Sequence, residues 1–223
     1  MTYILSEQDG IRCEITGSRE EWLKRRESMI GGSDAASILG LSPWKSNTQL
    51  WREKKGLEKP KDISDKAVVI YGNAAEEHLR ELFRLDWPEY TVEYVPHNMW
   101  MNERIPWAHA SLDGWLIDAD GRRGILEIKT AQISGRNAAE WKDTIPIKYH
   151  CQVLHYLMVT GFDFAILTAK LTRNYGNRFS TIENYIIERE DVEEDIAALY
   201  EAEKAFAESL KGDTPPAAIL PEI

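Results

Sequence analysis

Either side of the tetrapeptide Asp118-Ala119-Asp120-Gly121 lie two short apolar runs, Leu112 to Ile117 and Gly124 to Ile128, and a β-hairpin is the fold that pattern specifies. Successive side chains of a strand point to opposite faces, so Glu127 and Lys129 share one face while Leu126 and Ile128 turn to the other, into a core. The same hairpin brings Asp113 beside Glu127. Two carboxylates converging on one point make a hard-oxygen site suited to Mg²⁺ or Mn²⁺, and a neighbouring ammonium can orient and help deprotonate an attacking water. This inventory fits phosphodiester hydrolysis. An acid, a dozen residues and then Glu-x-Lys also occur in ordinary hairpins, so the pattern needs context.

Helical segments supply it. From Ser64 to Arg84 the chain reads as a helix whose apolar stripe carries Gly72, Glu76, Leu79 and Phe83, which turns Glu76 inward; Glu77, with Arg80 and Glu81 at neighbouring spacings, reads as solvated. A carboxylate on an apolar face is costly unless a cation meets it, which marks Glu76 as a candidate site residue. Between Pro146, suited to a first turn, and Gly161, a stop, Tyr149, Gln152 and Tyr156 share a face. A glutamine between tyrosines suits a phosphate or a water; the plainer alternative is packing tyrosines with an incidental Gln152. Near the N-terminus, Ser18-Arg19-Glu20-Glu21 is a capping box that starts a helix bearing Trp22, Lys24, Arg25 and Arg26. Gly31-Gly32-Ser33-Asp34 then opens a short helix whose free amides can hold a phosphate, unless Asp34 serves only as a cap.

In this order, Gly31-Gly32-Ser33-Asp34-Ala35-Ala36, Leu41-Ser42-Pro43-Trp44-Lys45-Ser46, Gly72-Asn73-Ala74-Ala75-Glu76, Ser111-Leu112-Asp113-Gly114, Leu126-Glu127-Ile128-Lys129 and Tyr149-His150-Cys151-Gln152-Val153 resemble the YqaJ-type viral recombinase nucleases. These are phage exonucleases of the lambda exonuclease kind within the PD-(D/E)xK group, and the likeness covers about residues 18 to 160. Leu112 stands where the signature proline would, a mild departure at a position that supplies no ligand. The resemblance implies that Asp113, Glu127 and the Ile128 carbonyl hold Mg²⁺, with Mn²⁺ able to substitute, and that Lys129 acts on the nucleophilic water. It implies further that Glu76 completes the acidic site, that Gln152 and Tyr149 lie near the metal and scissile phosphate, and that Arg26 and Ser33 hold the terminal 5′-phosphate, with Arg25 the one-residue slip. It also implies processive 5′-to-3′ digestion of linear duplex DNA to 3′ overhangs, a homotrimer ring and a single-strand annealing protein as partner. A PD-(D/E)xK endonuclease or nickase, a silent DNA-end-binding protein and a small-molecule or RNA phosphodiesterase are the alternatives.

Composition is compatible with one domain over residues 1–223: 43% of residues are hydrophobic, enough for one substantial core. Cys13 and Cys151 lack metal-cluster spacing, and His150 and His155 read as packing or surface residues. No signal peptide or bilayer-length apolar run is seen, so a cytoplasmic protein without membrane contact is expected. The net charge of −10 is unlike a nucleic-acid binder, but residues 183–211 hold ten acids against Arg189, Lys204 and Lys211. Basic clusters remain at Lys24 to Arg26 and at Arg52, Lys54, Lys55, Lys59 and Lys61, which permits a basic channel beside an acidic outer surface. The layout expected is α/β, a central mixed β-sheet flanked by helices, PD-(D/E)xK (restriction-endonuclease-like) in kind. Helices are expected at about 18–28, 33–39, 46–56, 64–85, 146–160 and 191–211, the last acidic, and strands near 91–96, 108–117, 124–130, 163–171 and 181–188. The tail 212–223 is expected to be loose.

Overall fold

The computed structural model describes residues 2–135, 137–175 and 177–219. In chain order the elements are β1 (Tyr3–Gln8), β2 (Ile11–Ile15), α1 (Arg19–Glu27), β3 (Ile30–Gly31), α2 (Gly32–Ile38), α3 (Asn47–Lys54), α4 (Ala67–Asp86), β4 (Thr91–Glu93) and β5 (Asn98–Asn102). There follow β6 (Ala108–His109), β7 (Gly114–Ile117), β8 (Arg123–Ile133), α5 (Ile147–Thr160), β9 (Phe164–Tyr175), β10 (Asn177–Glu188) and α6 (Glu193–Ser209). Among the described residues no helix is long and apolar enough to cross a membrane.

A five-stranded mixed sheet, ordered β10-β9-β8-β7-β4, forms the centre, with β8 and β9 parallel and the other pairs antiparallel. The expected hairpin is its middle: Gly114 pairs with Leu126 and Ile117 with Arg123. Both faces are covered there, which is why β8 is buried without a break from Gly124 to Ile128. Leu126 and Ile128 meet Leu79 and Phe83 of α4 on one face, while Ile125 and Leu167 meet α5 through Val153, Leu154 and Leu157 on the other. Each fully buried leucine or isoleucine here stabilises by roughly 1.5–3 kcal/mol. The fold is therefore a single α/β domain with a mixed sheet between helices, as its sequence predicts.

Several boundaries differ from expectation for physical reasons. The strand expected over 108–117 breaks at 111–113. Ala110 still bridges to Trp100 on β5, whereas Gly114 already pairs with β8. Between them the buried Asn98 takes the backbone of Leu112: its Oδ1 accepts from the Leu112 amide and its Nδ2 donates to the Leu112 carbonyl, both at 2.9 Å. Asp113 sits at the point where the chain changes sheet. The N-terminal hairpin β1-β2, which joins β5 in a three-stranded sheet, goes unread in the sequence although Asp9-Gly10, both at positive φ, is a hairpin turn signal. The helix expected from Ser64 starts at Ala67. The tail is not loose throughout, because the Ala217 carbonyl accepts from Asn47 Nδ2 at 2.7 Å and the Ile219 amide donates to Asn47 Oδ1 at 3.2 Å. Residues 220–223 lie outside the described residues.

Candidate active site

The middle of β8 carries the centre. Beyond Leu126 no β7 residue pairs with it, so the Ile128 amide donates instead to Asp113 Oδ2 at 2.9 Å. Amide and carbonyl of one strand residue point to the same side, so the Ile128 carbonyl faces Asp113 as well. Glu127 is 1% exposed, ion-paired through Oε1 with Lys129 and accepting from Gln152 Nε2 at 2.8 Å. Gln152 also donates to the Tyr156 hydroxyl at 2.8 Å, so it is not incidental but fixed between the acid and the tyrosine. Glu127 Oε2 is buried and, among the described residues, has no partner.

Helix α4 brings the third acid from the other face. Glu76 is half-buried and Glu77 exposed, the split expected from the apolar stripe. Arg80, however, does not belong with Glu77 on the solvated side. It is 5% exposed, donates from Nε to the Asp113 carbonyl at 2.6 Å and from Nη2 to Glu76 Oε1 at 2.7 Å, and lies 3.5 Å from the centre of the Tyr94 ring. This is the cation that an inward-facing Glu76 requires, and its position four residues on was the available signal.

The electrostatics are those of crowded acids. Burial, and then the charge of Asp113, push the Glu127 carboxyl up to about 8; burial and Asp113 likewise push Glu76 up to about 7, against the pull of Arg80 and Lys129. Asp113 is raised by burial, opposed by Lys129 and the Ile128 amide. Burial alone would lower the Lys129 ammonium, but Glu127 and Asp113 beside it raise it above its ordinary value. Buried acids of which Asp113 raises the other two, with Glu127 Oε2 lacking a donor, fit a hard dication. Among the described residues no three His, Cys, Asp or Glu side chains converge as a metal cage, so the protein's share would be two carboxylates and a carbonyl. Mg²⁺ accepts such a share, keeping waters in its other positions.

Tyr149 is half-buried against Trp141, its ring centre 5.1 Å from Lys129 Nζ. Arg26 and Ser33 line a separate cavity of about 720 Å³ together with Lys54, Lys59 and His109. Arg25 is turned away, paired with Glu14 at 2.7 Å. Asp34 caps α2, accepting from the Gly31 amide at 3.1 Å, and pairs with Lys54 at 2.8 Å. Cavity and acidic centre abut at Gly32, where a methyl would lie 2.5 Å from Tyr156 Cε1 and 3.0 Å from Gln152 Cγ. His155, expected as a packing or surface residue, is fully buried between two polar partners: Nδ1 lies 2.7 Å from Glu203 and Nε2 lies 2.9 Å from the His109 carbonyl, and against the effect of burial these partners raise the imidazole above its ordinary value.

A mixed sheet whose central hairpin carries Glu127 and Lys129 and is entered through Asp113, with helices on both faces, is the PD-(D/E)xK fold of phage exonucleases. The alkaline exonuclease LHK-Exo from Laribacter hongkongensis shares it at a TM-score of 0.62 and 20% identity, over 86% of this chain and 92% of that one. A phage-related exonuclease from Haemophilus somnus 129PT does so at a TM-score of 0.50 and 15% identity, over 82% and 95%. The chain belongs to the YqaJ-like viral recombinase domain family, whose model matches residues 21–163. It is also 33% identical over 201 residues to the uncharacterized protein YqaJ of Bacillus subtilis, covering 85% of this chain and 55% of that protein, so it spans about half of that relative's length.

Proposed function

We propose that this chain is a metal-dependent nuclease acting on DNA, a 5′-to-3′ exodeoxyribonuclease that degrades linear duplex processively and leaves 3′ overhangs for phage-type recombination. The observation that carries the chemistry is the buried, unpartnered Glu127 Oε2 beside Asp113 and Lys129. Asp113, Glu127 and the Ile128 carbonyl would hold Mg²⁺ or Mn²⁺, with Glu76 completing the acidic set. Bound there, the ion would polarise the phosphate and acidify the attacking water. Lys129, protonated beside its two acids, donates to that water or to a phosphate oxygen, and Gln152 keeps Glu127 in place. Tyr149 lies near the scissile phosphate. Arg26 and Ser33 receive the terminal 5′-phosphate in the cavity that they line. By family likeness the enzyme works as a ring-shaped homotrimer in a bacterial cytoplasm, handing its 3′ overhang to a single-strand annealing protein.

The test compares end-labelled linear duplex with covalently closed circles, with and without Mg²⁺. Digestion of the linear form alone, lost in chelator, is expected. Nicking of circles would mark an endonuclease, and end binding without cleavage a silent binder. Asp113→Ala, Glu127→Ala and Lys129→Ala should each lose roughly 100-fold or more while staying folded, because charge stabilisation and water activation fail together. A folded Lys129→Ala protein that digests like wild type refutes the assignment.

A further inference from the structure

The segment 41–46 has no task in the function proposed above, although it stands between two openings of the molecule. Lys45 lines the cavity of Arg26 and Ser33, while Leu41 and Pro43 line a second cavity of about 380 Å³ with Ile145, Ile147 and Lys148 at the start of α5. Between them stands Trp44, 71% exposed. Leu41 and Ile147 are exposed as well, so the tryptophan is part of an apolar patch. The segment is braced: the Trp44 amide donates to Ser42 Oγ at 3.3 Å, Lys45 is ion-paired with Glu53, and Ser46 caps α3 by accepting from the Gln49 amide at 3.2 Å. A ring held open on a braced segment is preorganised to receive something flat.

Its surroundings give the chemistry of that occupant. Lys148 Nζ lies 4.9 Å from the centre of the Trp44 ring and 5.1 Å from that of Tyr149, and Lys129 Nζ lies 5.1 Å from the same Tyr149 ring. Ring, ammonium, ring and ammonium thus lead from the exposed tryptophan to the lysine of the acidic centre. Glu140, 3.9 Å from Lys148, offsets part of this charge. Aromatic faces alternating with cations match a polymer whose flat bases stack and whose phosphates pair with ammonium groups.

We propose that Trp44 is a stacking platform for a nucleobase at the DNA end, next to Lys45 of the terminal-phosphate cavity and linked to the acidic centre through Lys148 and Tyr149. The proposal rests on the nuclease reading. The other occupant such a patch could take is a second copy of this chain, which the test separates.

The experiment uses 5′-phosphorylated duplex carrying 2-aminopurine at its 5′-terminal position, with Ca²⁺ in place of Mg²⁺ to allow binding without turnover. Wild type should quench the terminal probe and leave a probe deep inside the duplex unchanged. Trp44→Ala should lose most of the quenching and bind roughly tenfold more weakly, within the range of one lost base stack, whereas Trp44→Phe should keep most of both. A Trp44→Ala protein that quenches and binds like wild type overturns the proposal while the nuclease reading stands. So does a change in sedimentation of Trp44→Ala, which assigns the ring to contact between copies. If wild type neither binds nor cuts duplex, the nuclease reading falls, and this one with it.

Discussion

Gly32→Ala is the sharpest probe of how the cavity and the acidic centre are joined. The added methyl would lie 2.5 Å from Tyr156 Cε1, 3.0 Å from Tyr156 Cζ and 3.0 Å from Gln152 Cγ, well inside contact distance. Tyr156 is buried, and its hydroxyl accepts from Gln152, so the ring has little room to retreat. Either α2 backs away, carrying Ser33 with it, or Tyr156 and Gln152 shift and the bond to Glu127 stretches. Overpacking of this kind costs about 1–3 kcal/mol. For a domain of this size that lowers the melting midpoint by roughly 2–12 °C. Cleavage should fall further than stability explains at a temperature where the variant is fully folded, because Gln152 holds Glu127. Gly72→Ala is the contrasting case: a methyl there meets only Thr130 Oγ1, at 3.5 Å, so the variant should be as stable as wild type or gain about 0.5–1 kcal/mol from helix propensity. Calorimetry and single-turnover cleavage of both variants decide the matter. Wild-type stability and rate in Gly32→Ala would show that the two regions are not in contact.

Glu76→Gln should cut activity at least tenfold while Glu77→Gln stays within about twofold, since one of the adjacent carboxylates faces the centre; equal effects would mean that the helix face is misassigned. Arg80→Ala should lose about 3 kcal/mol in chemical denaturation and weaken Mn²⁺ binding in titration calorimetry, because Glu76 keeps some solvent but loses its cation. An unchanged Mn²⁺ isotherm would limit Arg80 to packing. Arg26→Ala should erase any preference for 5′-phosphorylated over 5′-hydroxyl ends, whereas Arg25→Ala, which loses contacts to Glu14 and Met101 and none to the cavity, should keep it; the reverse result would move the end-reading role by one residue. Burial alone would lower His155, but Glu203, the His109 carbonyl and Asp34 raise it above its ordinary 6.5. A raised value means that the pair's stabilisation is full below about 6.5 and is lost as pH rises through the folded value. The unfolding free-energy gap between wild type and Glu203→Gln should therefore narrow from pH 6 to pH 9, and a widening gap contradicts the charged pair.

What was readable in the sequence was what local periodicity decides. The Asp118 to Gly121 turn set the hairpin register, and the 3.6-residue period separated Glu76 from Glu77. Unread features depend on partners far along the chain. The break at 111–113 is imposed by Asn98 through side-chain bonds that no strand pattern encodes. The tail docks onto Asn47, some 170 residues away. Arg80 escapes such a reading because a helix face assigned by apolar residues alone leaves out an arginine buried by pairing. The N-terminal hairpin offered its Asp9-Gly10 turn, but β1 is largely exposed and shows no clean alternation.

The Asn98 clamp also bears on the missing signature proline. A proline at 112 would have no amide to give, and Asn98 Oδ1, which accepts from that amide in the interior, would be left without a donor at a cost of about 1–3 kcal/mol. The ring and the asparagine are thus two mutually exclusive ways of holding the backbone that leads into Asp113. Positions 98 and 112 form an epistatic pair: restoring the proline alone in a chain of this kind is a defect, and it becomes tolerable only once position 98 no longer asks for a donor.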